Sequence, residues 1–396
     1  MRKLLLILLF MLLLTGCWSS QELNDQAFVS VIIVDKTEEG VEVTLGLPLT
    51  NNMAVGDAGG QSLGNQQFGF FSRTATTFED ALQKVQGDLS RKANFGQNRN
   101  IIFGRAYAES GISPILEFSS NNPFLRLNTN LFMVDGYAKD EVTKATVVSE
   151  RFLATILNKY IEQQTSMQTT VRDLIISNTS GGDGLIPILK FSQISEGAVV
   201  GTASTVGTGG AGIFRNGKLI EPLLTPEQTS GAKSIRNQLR QYYYSVASPT
   251  DGNTVGFYST IVNVKTRITR KENKYHVIVN PTSEVLVLSN NSNIDFSQYE
   301  QTRMMEKKIE EFGDNMLRET MSIIQQTGAD VFHFDRYFSA KYPREFNKIQ
   351  ADWREFYRDQ LVVDIKNVIN LRRKGSVVRS FRNKHQSAHE KEGSEQ

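Results

Sequence analysis

The stretch from Ser259 to Leu288 reads STIVNVKTRITRKENKYHVIVNPTSEVLVL and decides the fold class of the last third of the chain. β-Branched and aromatic residues alternate with polar ones on both sides of Arg270–Lys274. Such alternation predicts two strands that each bury one face, and the short polar segment between them predicts a hairpin turn. Pro281 lies inside the second strand and cannot donate a hydrogen bond to a neighbour, so we expect an edge strand or a bulge there.

A long helix is predicted after this hairpin. Ser297-Gln298-Tyr299-Glu300 matches the capping box S-x-x-E, and Gly328 provides a typical helix end. Apolar positions at helical spacing are Met305, Ile309, Phe312, Met316 and Ile323 in this helix, and Phe346, Ile349, Trp353 and Phe356 in a second helical pattern. Because Leu361–Ile369 then alternates as a closing strand, we predict a C-terminal α/β domain at 253–375. The basic tail at 376–396 is predicted to be disordered.

A short hairpin and a helix start are predicted upstream of this domain. Asn216-Gly217 stands between two apolar pairs, and both residues tolerate the positive φ of a type I′ turn. Thr225, Pro226 and Gln228 then fit an N-cap, a first helical position and the end of a capping box. Segments rich in Gly, Ser and Thr at 177–184 and 197–212 indicate a domain boundary before this hairpin and helix. We therefore predict a middle domain at 196–252.

The first half of the chain mixes strands and helices. Ala27–Asp35 and Val41–Leu49 predict an opening hairpin. Further predicted elements are strands at 67–75, 101–103 and 131–137 and helices after Thr77, at 112–118 and at 150–164. This order predicts an N-terminal α/β domain at 17–195. The fold class is therefore α+β (mixed α/β), a three-domain chain with mixed sheets flanked by helices and rich in hairpins.

The Gly- and Asn-rich segment 51–67 is predicted to be a mobile loop, with a partner contact as the other interpretation.

The amino end has the form of a secretory signal. Arg2 and Lys3 form a basic head, Leu4–Leu14 is apolar throughout, and Leu14-Thr15-Gly16-Cys17 closes the segment. The apolar run has about half of the roughly 20 residues that span a bilayer as a helix, so a membrane-spanning anchor is the weaker interpretation. Residues 1–16 are predicted to be a signal peptide.

Cys17 is the only cysteine of the chain, so an intrachain disulfide is excluded. The residues before it resemble the lipobox of the bacterial lipoprotein pathway, which predicts a diacylglyceryl group on Cys17 and cleavage after Gly16. An inert buried thiol is the alternative interpretation. We therefore predict that Cys17 holds the mature chain on membrane lipid.

The charge balance argues against nucleic acid as a partner. The chain carries a formal net charge of +2, and removal of Arg2 and Lys3 with the signal peptide makes the mature chain formally neutral. Bulk binding of nucleic acid needs a concentrated basic face. The basic cluster Arg372, Arg373, Lys374, Arg379, Arg382 and Lys384 has two interpretations, contact with anionic lipid headgroups or a solvated tail, and we favour the solvated tail.

No catalytic, metal or cofactor site is predicted. Segment 207–212, GTGGAG, matches G-x-G-x-x-G, but the hairpin that follows supplies no helix for a pyrophosphate, so we interpret it as a flexible linker. His385 and His389 have helical metal-ligand spacing without supporting carboxylates. His333 is interpreted as a packed histidine. Neither a P-loop nor a G-x-S-x-G elbow is present.

Several segments together carry a family resemblance. They are Gly16-Cys17-Trp18-Ser19, Glu22-Leu23-Asn24-Asp25, the strand ending at Asp35, Asn98–Ala108, Gly111-Ile112, Gly136-Tyr137-Ala138-Lys139, Gly212-Ile213-Phe214, Leu224-Thr225-Pro226-Glu227, Asp330-Val331-Phe332, Tyr342-Pro343, Trp353 and Val362–Gly375. With them the sequence resembles the Ger(x)C family, the lipoprotein C subunits of spore germinant receptors.

The resemblance implies a non-catalytic, three-domain α/β lipoprotein on the outer face of the spore inner membrane. The resemblance also implies that the protein acts together with integral membrane A- and B-type receptor subunits in the response to nutrients. A small-molecule germinant would then act on this protein only indirectly. Only Cys17 carries over as a functional position. The alternative is an extracytoplasmic solute-binding lipoprotein, although such proteins usually show two repeated lobes and this sequence shows no evident repeat.

Overall fold

A computed structural model of the chain describes residues 23–48, 68–144, 153–178, 183–193 and 204–372. After a short 3₁₀ turn at Leu23–Asp25, its strands are β1 Gln26–Phe28, β2 Val31–Thr37, β3 Gly40–Pro48, β4 Phe68–Ala75, β5 Lys92–Asn94, β6 Asn100–Gly104, β7 Asn130–Val134, β8 Gly184–Gln193, β9 Ser204–Arg215, β10 Lys218–Leu224, β11 Tyr242–Ala247, β12 Thr254–Lys271, β13 Lys274–Asn290, β14 Val362–Ile365 and β15 Val368–Arg372. Its helices are α1 Phe78–Asp88, α2 Arg105–Ser110, α3 Ser113–Asn121, α4 Ala138–Lys144, α5 Leu153–Glu162, α6 Val171–Asn178, α7 Pro226–Ile235, α8 Tyr299–Gln326, α9 Phe334–Lys341, α10 Pro343–Ile349 and α11 Trp353–Asp359.

Eight strands form a mixed sheet in the order β10-β9-β8-β7-β6-β2-β3-β4. The four central strands run parallel, and antiparallel hairpins close both ends. β6 and β7 are buried at every residue, as expected for parallel strands covered on both faces. Alternate residues of β2 enter two cores: Ile32 and Val34 pack with α1 to α3, whereas Val31 and Ile33 pack with α4 and α5. The mixed α/β fold class is thereby confirmed.

The second sheet is built on the predicted long hairpin. β12 and β13 pair along their length and turn at Glu272 and Asn273, both with positive φ. β11 adds to β12, and both β14 and β15 run parallel to β13. The 28-residue helix α8 and the short helices α9 to α11 pack on one face of this sheet.

Of the two expectations for Pro281, an edge strand or a bulge, the edge strand is wrong, because β13 is paired on both sides. The pairing with β14 stops at Val279 and the pairing with β15 starts at Thr282. Pro281 therefore lies in a two-residue gap where no parallel partner is paired with it. A register irregularity in β12 between Ile261 and Asn263 lies close by.

Three boundaries in the C-terminal half also differ from the sequence pattern. Helix α8 starts after Gln298 without a side-chain cap, since the Ser297 hydroxyl donates to Asp295 instead (2.6 Å). The second helical pattern is split between α10 and α11, and the closing strand is split into β14 and β15. At the last of these boundaries a tertiary contact interrupts the strand pattern, because the backbone N–H of Asn367, between β14 and β15, donates to Asp314 of α8 (3.0 Å).

The glycine-rich segment 207–212 is a strand, so its interpretation as a flexible linker is wrong. It lies inside β9, between β8 and β10. A Cβ at Gly212 would lie 2.6 Å from both Leu219 Cδ1 and Met133 Sδ, and one at Gly210 would collide with the Leu224 carbonyl oxygen. Glycine is needed at positions 210 and 212 because neighbouring groups approach the backbone there too closely for a side chain.

We expect Gly210→Ala to destabilise the protein by about 2–4 kcal/mol, because it combines the collision with Leu224 and a φ of +125°. The matched control is Gly87→Ala in α1, where a Cβ meets nothing within 4 Å. That control should stabilise the helix by about 0.5–1 kcal/mol. Urea unfolding of both variants measures the two effects, and equal stabilities for Gly210→Ala and wild type would contradict the packing argument.

The described strands of the predicted middle domain, 196–252, are divided between the two sheets. Its first hairpin, with Asn216 and Gly217 at φ 53° and 69°, completes the eight-stranded sheet as β9 and β10, whereas β11 belongs to the second sheet. The capping box at Thr225 and Gln228 is formed as predicted. The division into three domains stays a prediction.

The signal peptide at 1–16, Cys17, the loop at 51–67, the tail at 376–396, His385 and His389 lie outside the described residues. Of the cluster at 372–384, only Arg372 lies within them. Among the helices that the structure describes, none has the length and hydropathy needed to cross a membrane.

Candidate functional site

The carboxyl ends of the parallel strands form the first candidate site, because open α/β sheets commonly bind ligands at this edge. Asp35 lies near the end of β2, is 2% exposed and faces Glu42 across the hairpin. Its two carboxylate oxygens accept hydrogen bonds from the backbone N–H groups of Ala138 and Lys139 (both 2.8 Å). The carboxylate thus fixes the first turn of α4 to the sheet.

Glu42 extends this contact. Its carboxylate forms an ion pair with Lys139 Nζ (2.6 Å) and accepts a hydrogen bond from the Tyr137 hydroxyl. Gly104 closes the site from β6, because any side chain there would collide with Asp35. Segments quoted for the family resemblance, including Asp35, Gly104 and Gly136–Lys139, therefore meet here.

The electrostatics of this cluster are those of a structural contact. Burial, and to a smaller extent the Glu42 and Asp140 charges, raises the pKa of Asp35 to about 6 although the two backbone hydrogen bonds lower it. Both carboxylates are engaged by groups of α4 and the turn before it. The arrangement therefore positions a helix, and we assign no reaction to it.

A pH dependence of stability follows from Asp35. Its pKa is about 6 in the folded chain and about 3.8 unfolded, so its stabilising contribution is full below pH 4 and is lost as pH rises through 6. The loss is on the order of 3 kcal/mol. Urea unfolding at pH 4.5 and 7.5 should therefore show a smaller decrease of stability with pH in Asp35→Asn than in wild type. Glu39→Gln, in the same hairpin, controls for net charge; equal decreases in wild type and Asp35→Asn would contradict this origin.

A second polar cluster joins the two sheets. Asp183, directly before β8, is buried and accepts two hydrogen bonds from the Arg354 guanidinium of α11 (2.9 and 3.0 Å). It also accepts from the backbone N–H groups of Asp330 (2.9 Å) and Asn216 (3.2 Å). Arg354 donates in turn to the Asn216 side chain (2.6 Å). One buried carboxylate thus holds the β9–β10 turn, the α8–α9 loop and α11 together.

Asp330 continues this cluster into the C-terminal core. Its side chain accepts from the Trp353 indole N–H (3.1 Å) and from the backbone N–H groups of Phe334 and Asp335 (both 2.9 Å). Burial, and secondarily the Asp335 charge, raises the pKa of Asp330 to about 7. His333 adopts φ 56° beside it and is half-buried, consistent with a packed histidine, and burial lowers the pKa of His333 to about 4.

One open cavity in the described part of the chain is too small to assign a ligand. It has a volume of about 240 Å³ and lies between α7, β11 and α8, lined by Glu227, Tyr242, Phe312 and Glu319 among others. Ligand pockets usually have about 300–1,000 Å³. Within the described residues, no three His, Cys, Asp or Glu side chains are arranged to hold a metal ion.

The sequence pattern missed the Asp183–Arg354 pair altogether. Asp183 stands in a segment interpreted as a boundary, and no motif surrounds Arg354. The sequence pointed to Asp183 and Arg354 only indirectly. Asp330 and Trp353 lie in the same cluster, and both belong to the segments quoted for the family resemblance.

Comparisons with known proteins agree along most of the chain. Residues 19–191 match the family described as spore germination protein N-terminal domain, and residues 209–375 match the family described as spore germination B3/GerAC like, C-terminal. The chain is 24% identical to the putative spore germination protein YfkR of Bacillus subtilis (strain 168), over 96% of this chain and 98% of that protein. It is 20% identical to spore germination protein KC of the same organism, over 93% and 95%.

Two further comparisons concern a third relative and the fold. Spore germination protein GerQC of Bacillus cereus is 23% identical over 72% of this chain and 75% of that protein. The crystal structure of the GerBC protein superposes with a TM-score of 0.51 at 14% identity, covering 87% of this chain and 97% of that one. At this identity, the structural likeness supports the shared fold alone.

Proposed function

This chain belongs to the spore germination protein family that these two models describe, and from that membership we propose that it is the lipoprotein C subunit of a nutrient germinant receptor. The observation that carries the proposal is the match of both models in order along residues 19–375. Curated spore germination proteins that align over more than nine-tenths of both chains support it.

We infer that the subunit acts by protein contact, together with integral membrane A- and B-type subunits. The polar clusters at Asp35 and Asp183 support this inference, because each engages its carboxylates in fixing one element to another. A body whose two sheets are held together rigidly is suited to pass the effect of a partner's contact from one sheet to the other. A nutrient would act on this subunit indirectly, through the membrane subunits.

Anchorage through lipid on Cys17 is part of the proposal. It would hold the chain on the outer face of the spore inner membrane, with the whole folded body outside the cytoplasm. The lipobox resemblance at Leu14–Cys17 supports it.

Disruption of the coding sequence in the producing bacterium tests the receptor role. Spores without the protein should lose the response to at least one nutrient, and a copy of the wild-type sequence should restore it. An unchanged response to every nutrient that triggers wild-type spores would contradict the assignment.

Calorimetric titration separates this proposal from a solute-binding lipoprotein. The purified protein should show no tight binding of single amino acids or sugars, because the proposal has a nutrient act on this subunit only through the membrane subunits. Micromolar binding of one nutrient to the isolated protein would instead favour the solute-binding function.

A further inference from the structure

One edge of the eight-stranded sheet collects the amino ends of its parallel strands. β2, β6 and β7 begin there in register, with Val31, Asn100 and Asn130 side by side. Short β1 and β5 lie beside the start of β2, where the Val29 backbone N–H donates to Asn94 (2.9 Å). We refer to this surface as the amino edge.

Exposed apolar side chains are present on the amino edge. The loop that leads into β7 carries Phe124 and Leu127, which are 64% and 42% exposed. Its backbone is held to the edge: the N–H of Asn130 donates to Arg99, and the N–H of Arg172 donates to Leu127 (both 2.8 Å). The two side chains therefore project from an ordered loop.

The amino edge also carries cations. Arg91, Lys92, Arg99, Arg126 and Arg172 are all exposed on elements that meet at the amino edge. None of the five forms a salt bridge with another residue that the structure describes. The carboxylates on the same elements are fewer: Asp173 accepts hydrogen bonds from Thr170, Asp88 pairs with Arg73, and Asp25 is exposed beside Leu23.

The described chain also begins at this edge. Leu23, which is 71% exposed, precedes β1 by three residues and follows Cys17 by six. Six residues span at most about 20 Å when extended. A lipid on Cys17 would therefore keep the amino edge within about 20 Å of the membrane.

We propose that the amino edge is the surface with which this protein lies on an anionic phospholipid membrane, with Phe124 and Leu127 among the headgroups and the five cations beside lipid phosphates. Apolar side chains within a basic surface are the combination that binds such membranes. The orientation rests on the proposed anchor at Cys17, whereas the affinity of the edge for lipid does not depend on it.

Vesicle binding tests the edge without the anchor. The chain from Trp18 to Gln396 contains every described residue and is sedimented with vesicles of phosphatidylglycerol and phosphatidylcholine or of phosphatidylcholine alone. Binding should require phosphatidylglycerol. Replacing the five cations with Gln should reduce the partition coefficient at least about tenfold, and Phe124→Ser with Leu127→Ser should also reduce it.

The matched control is another exposed basic surface, on the β12–β13 hairpin near its turn. Replacing its five cations, Lys265, Arg267, Arg270, Lys271 and Lys274, with Gln changes the net charge equally and should leave binding unchanged. Loss of binding in this control alone, or no binding of wild type to either vesicle, would overturn the proposal. Circular dichroism verifies that each variant is folded.

A second measurement uses the full lipidated chain. Cys17 is the only native cysteine, so Phe124→Cys introduces the only free thiol once Cys17 carries lipid. A fluorophore at position 124 should be quenched by a lipid-attached quencher, whereas one at Tyr299→Cys, 70% exposed at the start of α8, should not. Flotation with vesicles of phosphatidylcholine alone, to which the edge itself should not bind, separately reports the anchor. A chain that floats without quenching at 124 refutes the orientation, and a chain that does not float refutes the anchor.

Discussion

Replacing Cys17 with alanine is expected to move the protein from the membrane fraction to the soluble or unprocessed fraction and to abolish the nutrient response that depends on it. Acyl chains contribute about 0.8 kcal/mol per buried CH₂, and a combination of chains holds a protein far more firmly than one. The membrane-bound share should therefore fall by at least about tenfold.

The measurement compares Cys17→Ala with wild type in the producing bacterium. It follows membrane fractionation, the mass of the amino-terminal peptide and the spore response to nutrients. Ser20→Ala, three residues further on, is the matched control and should keep both the lipid and the response. An unmodified Cys17 in wild type would contradict the anchor, and normal germination after release from the membrane would contradict the need for it.

Replacing Arg354 with methionine is expected to lower the free energy of unfolding by about 2–4 kcal/mol. Removing one partner of a buried ion pair costs about 3–5 kcal/mol because the other charge stays buried. We lower that range because the Arg354 side chain is 29% exposed, while Asp183 is 5% exposed and keeps its two backbone donors. The cost arises mainly from Asp183, which loses its cation in a place that water does not reach.

Urea unfolding followed by the fluorescence of Trp353, the neighbour of Arg354, measures this loss. Arg344→Met, on exposed α10, controls for the loss of one cation. The double variant Asp183→Asn with Arg354→Met should be more stable than the sum of the two single losses predicts, because it leaves no unpaired charge. Strictly additive losses would show that the two side chains do not act as a pair.

Most secondary structure could be predicted from the sequence because its signals are local. The alternation around Arg270–Lys274, the turn at Asn216-Gly217 and the capping box at Thr225 each need only neighbouring residues, and all three are formed. The capping box at Ser297 shows that two local signals can compete with each other. It is an equally good local signal, yet Asp295 takes the hydroxyl and α8 begins later.

Segment 207–212 shows why composition misled. Glycine is frequent both in flexible linkers and in strands that other groups approach closely, and the sequence does not distinguish the two. Only the positions of Leu219, Met133 and Leu224 reveal that this stretch is an inner strand.

The sequence alone was enough to predict the mixed α/β class and most strands and helices, which the structure confirms, while the export signal and the lipid on Cys17 stay predictions. The tertiary structure alone decided which sheet each hairpin joins and which carboxylates hold elements together. Asp35 and Ala138 are 103 residues apart in sequence, and Asp183 and Arg354 are 171 apart. Pairs at such separations leave no local pattern, because what brings them together is the burial of apolar surface along the whole chain, and the hydrogen bonds are then selected by the space that remains.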